Sequence, residues 1–224
     1  PLLSRLYQKN EIDELSKLVK KQLSYLFLIG GSLMVGAIVN ADYLIKIIYE
    51  RGAFTSSDTA RVSGVFVIIS LAIIPWSINQ ILTRSYYVQQ KFWFPVITGS
   101  FITLLTSIIL FNAASNSQTY AWIIIFSLYI YCIVLLVSIK FNSEKIFNKN
   151  LVVEFSKIIL ILVLVYFVFG IAVSLSGILN LIFSLLLIPV VIFVSLSLLN
   201  FEYINIAKRR SVSYTHLTLP TMMS

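Results

Sequence analysis

The sequence predicts an all-α polytopic membrane protein with six transmembrane helices, and three observations predict it. Hydrophobic residues make up 58% of the 224 residues and charged residues only 12%, about half the roughly 25% charged share of soluble domains. The charges are segregated, leaving apolar runs near or above the roughly 18 residues that cross hydrocarbon. The lysines and arginines border those runs instead of gathering into one patch, which reads as membrane topology and not as a nucleic-acid surface despite the net charge of +8. Mean hydropathy is +0.93. A soluble core of this size has no room for so much apolar surface, whereas a bilayer does.

The elements follow in order. Residues 1–22 carry Arg5, Lys9, Lys17, Lys20 and Lys21 with Glu11, Asp13 and Glu14, while Leu15, Leu18, Val19 and Leu23 keep helical spacing. This pattern predicts an amphipathic helix lying at the membrane surface. Six apolar spans come next: Leu23–Val39, Val62–Leu82, Phe92–Phe111, Tyr120–Ile139, Ile158–Leu175 and Ile178–Leu199. Twenty helical residues cover about 30 Å, the thickness of the hydrocarbon. None of the spans alternates polar and apolar as strands of a membrane barrel do. The domain scheme is therefore an amphipathic segment (1–22), four helices (23–140), a loop (141–157), a final helix pair (158–207) and a basic flank (208–210).

Orientation follows from the cations. Lys46, Arg51 and Arg61 fall in the first loop after span one, and the other fourteen of the 17 basic residues fall on the opposite side. By the positive-inside rule the richer side is cytoplasmic, which places both ends of the chain there. Pro75 and Pro189 lie within spans and invite kinks. Gly30, Gly31 and Gly36 permit a close helix approach in the first span. Trp93 and Trp122 sit near span ends, as interfacial belts require, and Trp76 sits mid-span.

Reaction chemistry finds no support. Cys132 stands alone in an apolar run, so there is no disulfide framework, and the single histidine, His216, lies in the tail. No carboxylate occurs between Asp58 and Glu144, which leaves three spans without an acid for proton relay or cation capture. No phosphate-cradling GxxxxGK[ST] run exists. The expectation is no enzyme, no cofactor and no metal. Residues 211–224, SVSYTHLTLPTMMS, are polar and without period, and they follow the apt stop Lys208-Arg209-Arg210. They are similar to a translated sequencing-adapter peptide and take no part in the functional argument.

The most distinctive stretch is Leu44–Thr59, LIKIIYERGAFTSSDT. Arg51-Gly52 reads as a turn, Thr55, Ser56, Ser57 or Asp58 as the cap of the next helix, and an acid there suits the helix dipole. The words themselves resemble a signature of the MurJ/MviN family of lipid II flippases, in which an amphipathic segment leads through such a loop into a long helix. Arg51, Gly52, Phe54, Thr55, Asp58 and Thr59 carry the likeness. Pro1-Leu2-Leu3-Ser4-Arg5 is similar to the family's sequence at the cytoplasmic end of its eighth helix. Thr83-Arg84-Ser85-Tyr86-Tyr87, with Gln90-Lys91 and Pro95, is similar to its cytoplasmic loop of arginine, aromatic pair and proline.

The resemblance covers about residues 1–207 and implies helices nine to fourteen of a fourteen-helix exporter-like fold, the piece lacking an N-terminal lobe. It implies alternating-access movement of a polyprenyl-pyrophosphate-linked peptidoglycan precursor, lipid II, from inner to outer leaflet of the bacterial cytoplasmic membrane. Its partners would be that substrate, membrane lipids and the missing lobe, with no nucleic acid. The last two spans would border a groove for the polyprenyl tail, an apolar composition that ordinary lipid-facing helices share. Arg84 is a candidate contact for substrate phosphate, because a guanidinium pairs well with one; an interface anchor is its competing role. Arg51 and Asp58 are expected to stabilise the loop. Some members bind sodium through Asn or Asp on the third span here, where this chain offers Thr103, Thr106 and Ser107. The competing functions are a polysaccharide-repeat flippase or multidrug exporter of the same superfamily, and a non-transporting membrane assembly subunit.

Overall fold

A computed structural model describes residues 2–113, 116–141 and 144–172, with Ile182, Leu186, Ile188–Val190 and Ile192 beyond them. Up to Ala172 the described residues form eight helices and one small hairpin: α1 (Leu2–Gln8), α2 (Ile12–Val39), α3 (Ala41–Tyr49), α4 (Ser56–Ser70), α5 (Ile73–Val88), α6 (Trp93–Asn112), α7 (Ser117–Ser138), β1 (Lys140–Phe141), β2 (Glu144–Lys145) and α8 (Lys149–Ala172). Five helical stretches among the described residues are long and apolar enough to cross a membrane, with α4 and α5 acting as one. The protein is an all-α polytopic membrane protein. The expected sixth span, the basic flank and the tail with His216 fall mostly or wholly outside the described residues.

The N-terminal segment departs from expectation. Residues 12–22 do not form a separate helix on the membrane surface; they continue into the first span as one 28-residue helix, roughly 42 Å long. Leu15, Val19 and Leu23, spaced by four, are each at most 1% exposed. Their stripe is the lower end of the buried face of α2. A core cluster joins it to Ile78, Leu82 and Tyr86 of α5, Leu135 of α7 and Leu151 of α8. An apolar stripe of this kind looks the same in sequence whether a bilayer surface or a neighbouring helix covers it.

On its other side α2 meets α8. Phe27 stacks on Phe155 with ring centroids 4.5 Å apart, and Ser24, itself buried, donates its hydroxyl to Glu154 Oε2 at 2.6 Å. A methyl group added at Gly31 would run into the side chain of Leu162, so the glycine is what lets the two helices touch. Leu28, Val35, Ile158, Leu162 and Val165 fill the seam. Helix α8 starts at Lys149, well before the expected Ile158, because the seam with α2 recruits nine further residues into the helix. The expected loop 141–157 shrinks to a hairpin in which Lys140 faces Lys145.

The second span is broken. Leu71 and Ala72 bond three residues back, to the carbonyls of Ile68 and Ile69, and α5 then restarts with Pro75 as its third residue. Proline has no N–H for the carbonyl of residue 71. The hydroxyl of Tyr129, on α7, donates to that Leu71 oxygen at 3.1 Å. The kink is thus satisfied by a neighbouring helix, as membrane helices require.

Candidate functional site

Two clusters of sequence-marked residues emerge, at opposite ends of the α4–α5 unit. The first is the loop between α3 and α4. Gly52 adopts φ +62°, a left-handed turn that glycine enters without steric cost. The Arg51 guanidinium donates to the Ile48 carbonyl at 2.8 Å, which holds the positive group against the last carbonyls of α3. Thr55 is the N-cap of α4, and its backbone N–H and hydroxyl both donate to Asp58 Oδ2, at 2.9 and 2.7 Å. Asp58 stands in the first helical turn, four residues ahead of the apolar run. The two Thr55 donors hold its carboxyl below the usual carboxylate range. The hydroxyl of Thr59 donates to Glu50 Oε2 at 2.7 Å, and Phe54 lies against Tyr49, with centroids 6.0 Å apart.

The polar signature residues of this loop bond to one another and to the end of α3. The geometry is that of a stitched connection between α3 and α4, with no convergent set of free donors aimed at a ligand.

The second cluster lies at the far end of α5, some 26 residues or roughly 39 Å of helix from Asp58. One substrate group cannot touch both. Here Tyr86 is 3% exposed, donates its hydroxyl to the Leu135 carbonyl of α7 at 3.0 Å and stacks on Phe94 at 5.2 Å. Pro95 is buried at the start of α6, and its carbonyl accepts from the Tyr131 hydroxyl at 3.2 Å. Tyr86 and Pro95 thus tie α5, α6 and α7 together. Tyr87 points away from the bundle at 51% exposure, and Arg84 is exposed as well.

Arg84 has company that the sequence reading missed. Trp76, Gln80, Arg84 and Tyr87 recur at helical spacing and all are exposed. They form one face of α5, opposite the buried stripe of Ile74, Ile78, Ile81, Leu82 and Ser85. The spacing of a glutamine and an arginine by four was visible in the sequence; which way the pair faces was not. Asn79, on the buried side, keeps an unpartnered side-chain oxygen. On α6 the hydroxyls of Thr106 and Ser107 bond back to Ile102 and Thr103 of their own helix. No group of metal-ligating side chains occurs among the described residues.

A family model described as lipid II flippase MurJ matches residues 1–178. The lipid II flippase MurJ of Thermosipho africanus (strain TCF52B) is 32% identical over 71 residues, which is 32% of this chain and 15% of that protein. The probable lipid II flippase MurJ of Rickettsia prowazekii (strain Madrid E) is 28% identical over 87 residues, 39% of this chain and 17% of the relative. The aligned stretches thus span less than a fifth of these curated relatives. No solved structure matches. With four fifths of its length matched by the family model, the chain belongs to the MurJ lipid II flippase family.

Proposed function

We propose that this chain is the C-terminal part of a flippase that carries lipid-linked peptidoglycan precursor from the inner to the outer leaflet by alternating access between two lobes. The family is one of transporters, which supports a non-enzymatic role. The observation that carries the reading is the exposed polar face of α5. Gln80 lies inside the expected span Val62–Leu82 and Arg84 two residues past its end, and both are exposed on α5. Amide and guanidinium groups are costly against lipid tails and mark polar pathways or protein contacts at membrane depth. This face therefore suits a polar passage bordered by a second lobe, with Arg84 as its phosphate-pairing group.

The outer loop has a different part in this proposal. Arg51, Gly52, Phe54, Thr55, Asp58 and Thr59 fix the angle between α3 and α4 and bind no substrate. Arg51→Ala and Asp58→Ala then lower the yield of folded protein; a variant of normal abundance without activity would contradict that assignment. The α8 face carrying Leu160, Leu164 and Phe167, each more than half exposed, is apolar enough to border a polyprenyl tail. The loops rich in lysine and arginine, together with both ends of the chain, face the cytoplasm of a bacterial cell in this proposal, by the positive-inside rule.

The test is complementation. The full-length gene is expected to restore growth when the host flippase is depleted, and Arg84→Ala is expected to abolish rescue at normal abundance while Arg84→Lys retains part of it. Failure of the well-expressed full-length gene counts against lipid II as the cargo and favours the polysaccharide-repeat flippase.

A further inference from the structure

Two adjoining cavities of about 350 and 610 Å³ open at the end of the bundle where α5 passes to α6 and α7 passes to β1. Gln89, Lys91 and Lys140 line both. Around this trio the smaller cavity is walled by aromatic rings, among them Trp93, and the larger by polar groups of the α1–α2 turn, among them Asn10. No described side chain lining either cavity is a carboxylate. We propose that this is a binding site for the phosphate group of an anionic phospholipid, separate from the substrate path on the exposed face of α5.

The chemistry starts with Gln89. Its side-chain oxygen accepts from Lys91 Nζ at 3.1 Å, which fixes the amide so that its nitrogen is the free end. That Nε2 is buried and has no hydrogen-bond partner. A buried donor without an acceptor costs about 1–3 kcal/mol, and an anionic oxygen is the partner it lacks. Lys91 and Lys140 bring two positive charges to the same space, and none of the described lining residues is an acid. Donor and cations together define a receptor for an anion with several oxygens, which is the profile of a phosphate.

Two left-handed helix closures shape the backbone around the cavity. The described chain has two non-glycine residues at positive φ, Asn10 at 58° and Gln90 at 59°, and both sit here. Each closes a helix in the same way. Gln90 N–H bonds to the Tyr87 carbonyl and Lys91 N–H to that of Tyr86; Asn10 N–H bonds to Tyr7 and Glu11 N–H to Leu6. This is the paired C-terminal closure that usually places glycine at the left-handed position. Glutamine there carries a steric cost, and the closure aims residues 89 and 91 into one cavity.

A lipid supplies the phosphate more naturally than the aqueous phase. Trp93 lines the smaller cavity and is 64% exposed, with the Phe92 ring packed on it at 5.4 Å. Aromatic rings beside cations are the signature of the headgroup level of a membrane. Lysines at that level attract anionic lipid by roughly fivefold in affinity each.

The experiment uses the full chain in nanodiscs with Trp76→Phe and Trp122→Phe, so that Trp93 alone reports. Acyl-brominated phosphatidylglycerol or phosphatidylcholine is the quencher. Phosphatidylglycerol is expected to quench Trp93 at roughly 25-fold lower mole fraction than phosphatidylcholine, about fivefold per lysine, and Lys91→Gln with Lys140→Gln is expected to erase most of that preference. Lys46→Gln with Arg61→Gln removes the same charge at the opposite end and should leave the preference intact. Equal quenching by both lipids, or equal loss in the two charge-matched variants, overturns the site. Loss of the preference in 10 mM inorganic phosphate overturns the lipid reading and assigns the cavity to a soluble phosphate.

Discussion

The α4–α5 unit and α6 are equally apolar by mean hydropathy, yet they live in different surroundings. Half of the most apolar stretch of Ser56–Val88 is buried inside the bundle, against 6% of the corresponding stretch of α6. Hydropathy identifies what dissolves in lipid and is silent about which helix is held by protein. The difference lies in particular side chains. The α4–α5 unit buries Ser63, Ser70, Asn79 and Ser85 beside its leucines and isoleucines, and its proline break recruits Tyr129 from α7. Helix α6 instead presents Phe101, Leu104, Leu105, Ile108 and Ile109 outward and is fastened through Pro95 and Gly99, both against Tyr131. The first is a structural axis and the second an outer wall of the described bundle.

The largest effects should separate these two. Leu82, fully buried on α5, and Leu104, 59% exposed on α6, are the same residue in the two surroundings. Leu82→Ala is expected to destabilise the bundle by about 2–5 kcal/mol in reversible unfolding from mixed micelles, and Leu104→Ala by no more than about 0.5 kcal/mol. Equal costs would dissolve the contrast between axis and wall.

Glycines offer a second, smaller pair. Gly31→Leu must push Leu162 aside and is expected to cost about 1–3 kcal/mol at the α2–α8 seam. At Gly99 an added methyl would sit 3.4 Å from the Tyr131 ring, in ordinary contact, so Gly99→Ala should lie within about 0.5 kcal/mol of wild type. The same unfolding assay reads both.

The kink gives the finest test of the axis. Tyr129→Phe removes the donor to the Leu71 carbonyl, and hydrogen bonds between membrane helices average about 0.6 kcal/mol. Pro75→Ala returns a backbone N–H to that carbonyl, so the tyrosine hydroxyl should matter less in its presence. A double-mutant cycle with no coupling would show that the hydroxyl does not serve the break.

At the loop the effect is a direction only. Asp58 has a lowered pKa in the fold, so its contribution is present above the ordinary carboxylate value of 3.8 and is lost as acid protonates it below that. Asp58→Asn should flatten this part of the acid profile, measured by helix content between pH 5 and pH 2.

Much of this architecture was legible before any coordinates. Spans two to four appear where the apolar runs stand, and the turn at Gly52 with its Thr55–Asp58 cap follows from residue types at fixed local spacing. Legibility fails where the partner is distant in sequence. The stripe of Leu15, Val19 and Leu23 could cover lipid or helix with equal ease, and only packing on α5 and α8 decides. Pro75 announces a carbonyl in need of a donor, but nothing local says that Tyr129 supplies it. Gln80 and Arg84 can be placed on one helix face by counting, whereas the outward direction of that face comes from burial. Among the sequence-marked residues, Tyr86 and Pro95 prove to be ties between helices, which a motif of aromatics and proline does not distinguish from a substrate contact.

The central claim is that these apolar helices thread the membrane with their cationic borders on one side. Cysteine accessibility tests it most directly, in the full chain with Cys132→Ser and a single cysteine placed by Gln118→Cys or Lys145→Cys. An impermeant thiol reagent applied to intact spheroplasts should label position 118, and should label position 145 only after the membrane is opened. Labelling of both positions from the same side would contradict the threading and everything built on it.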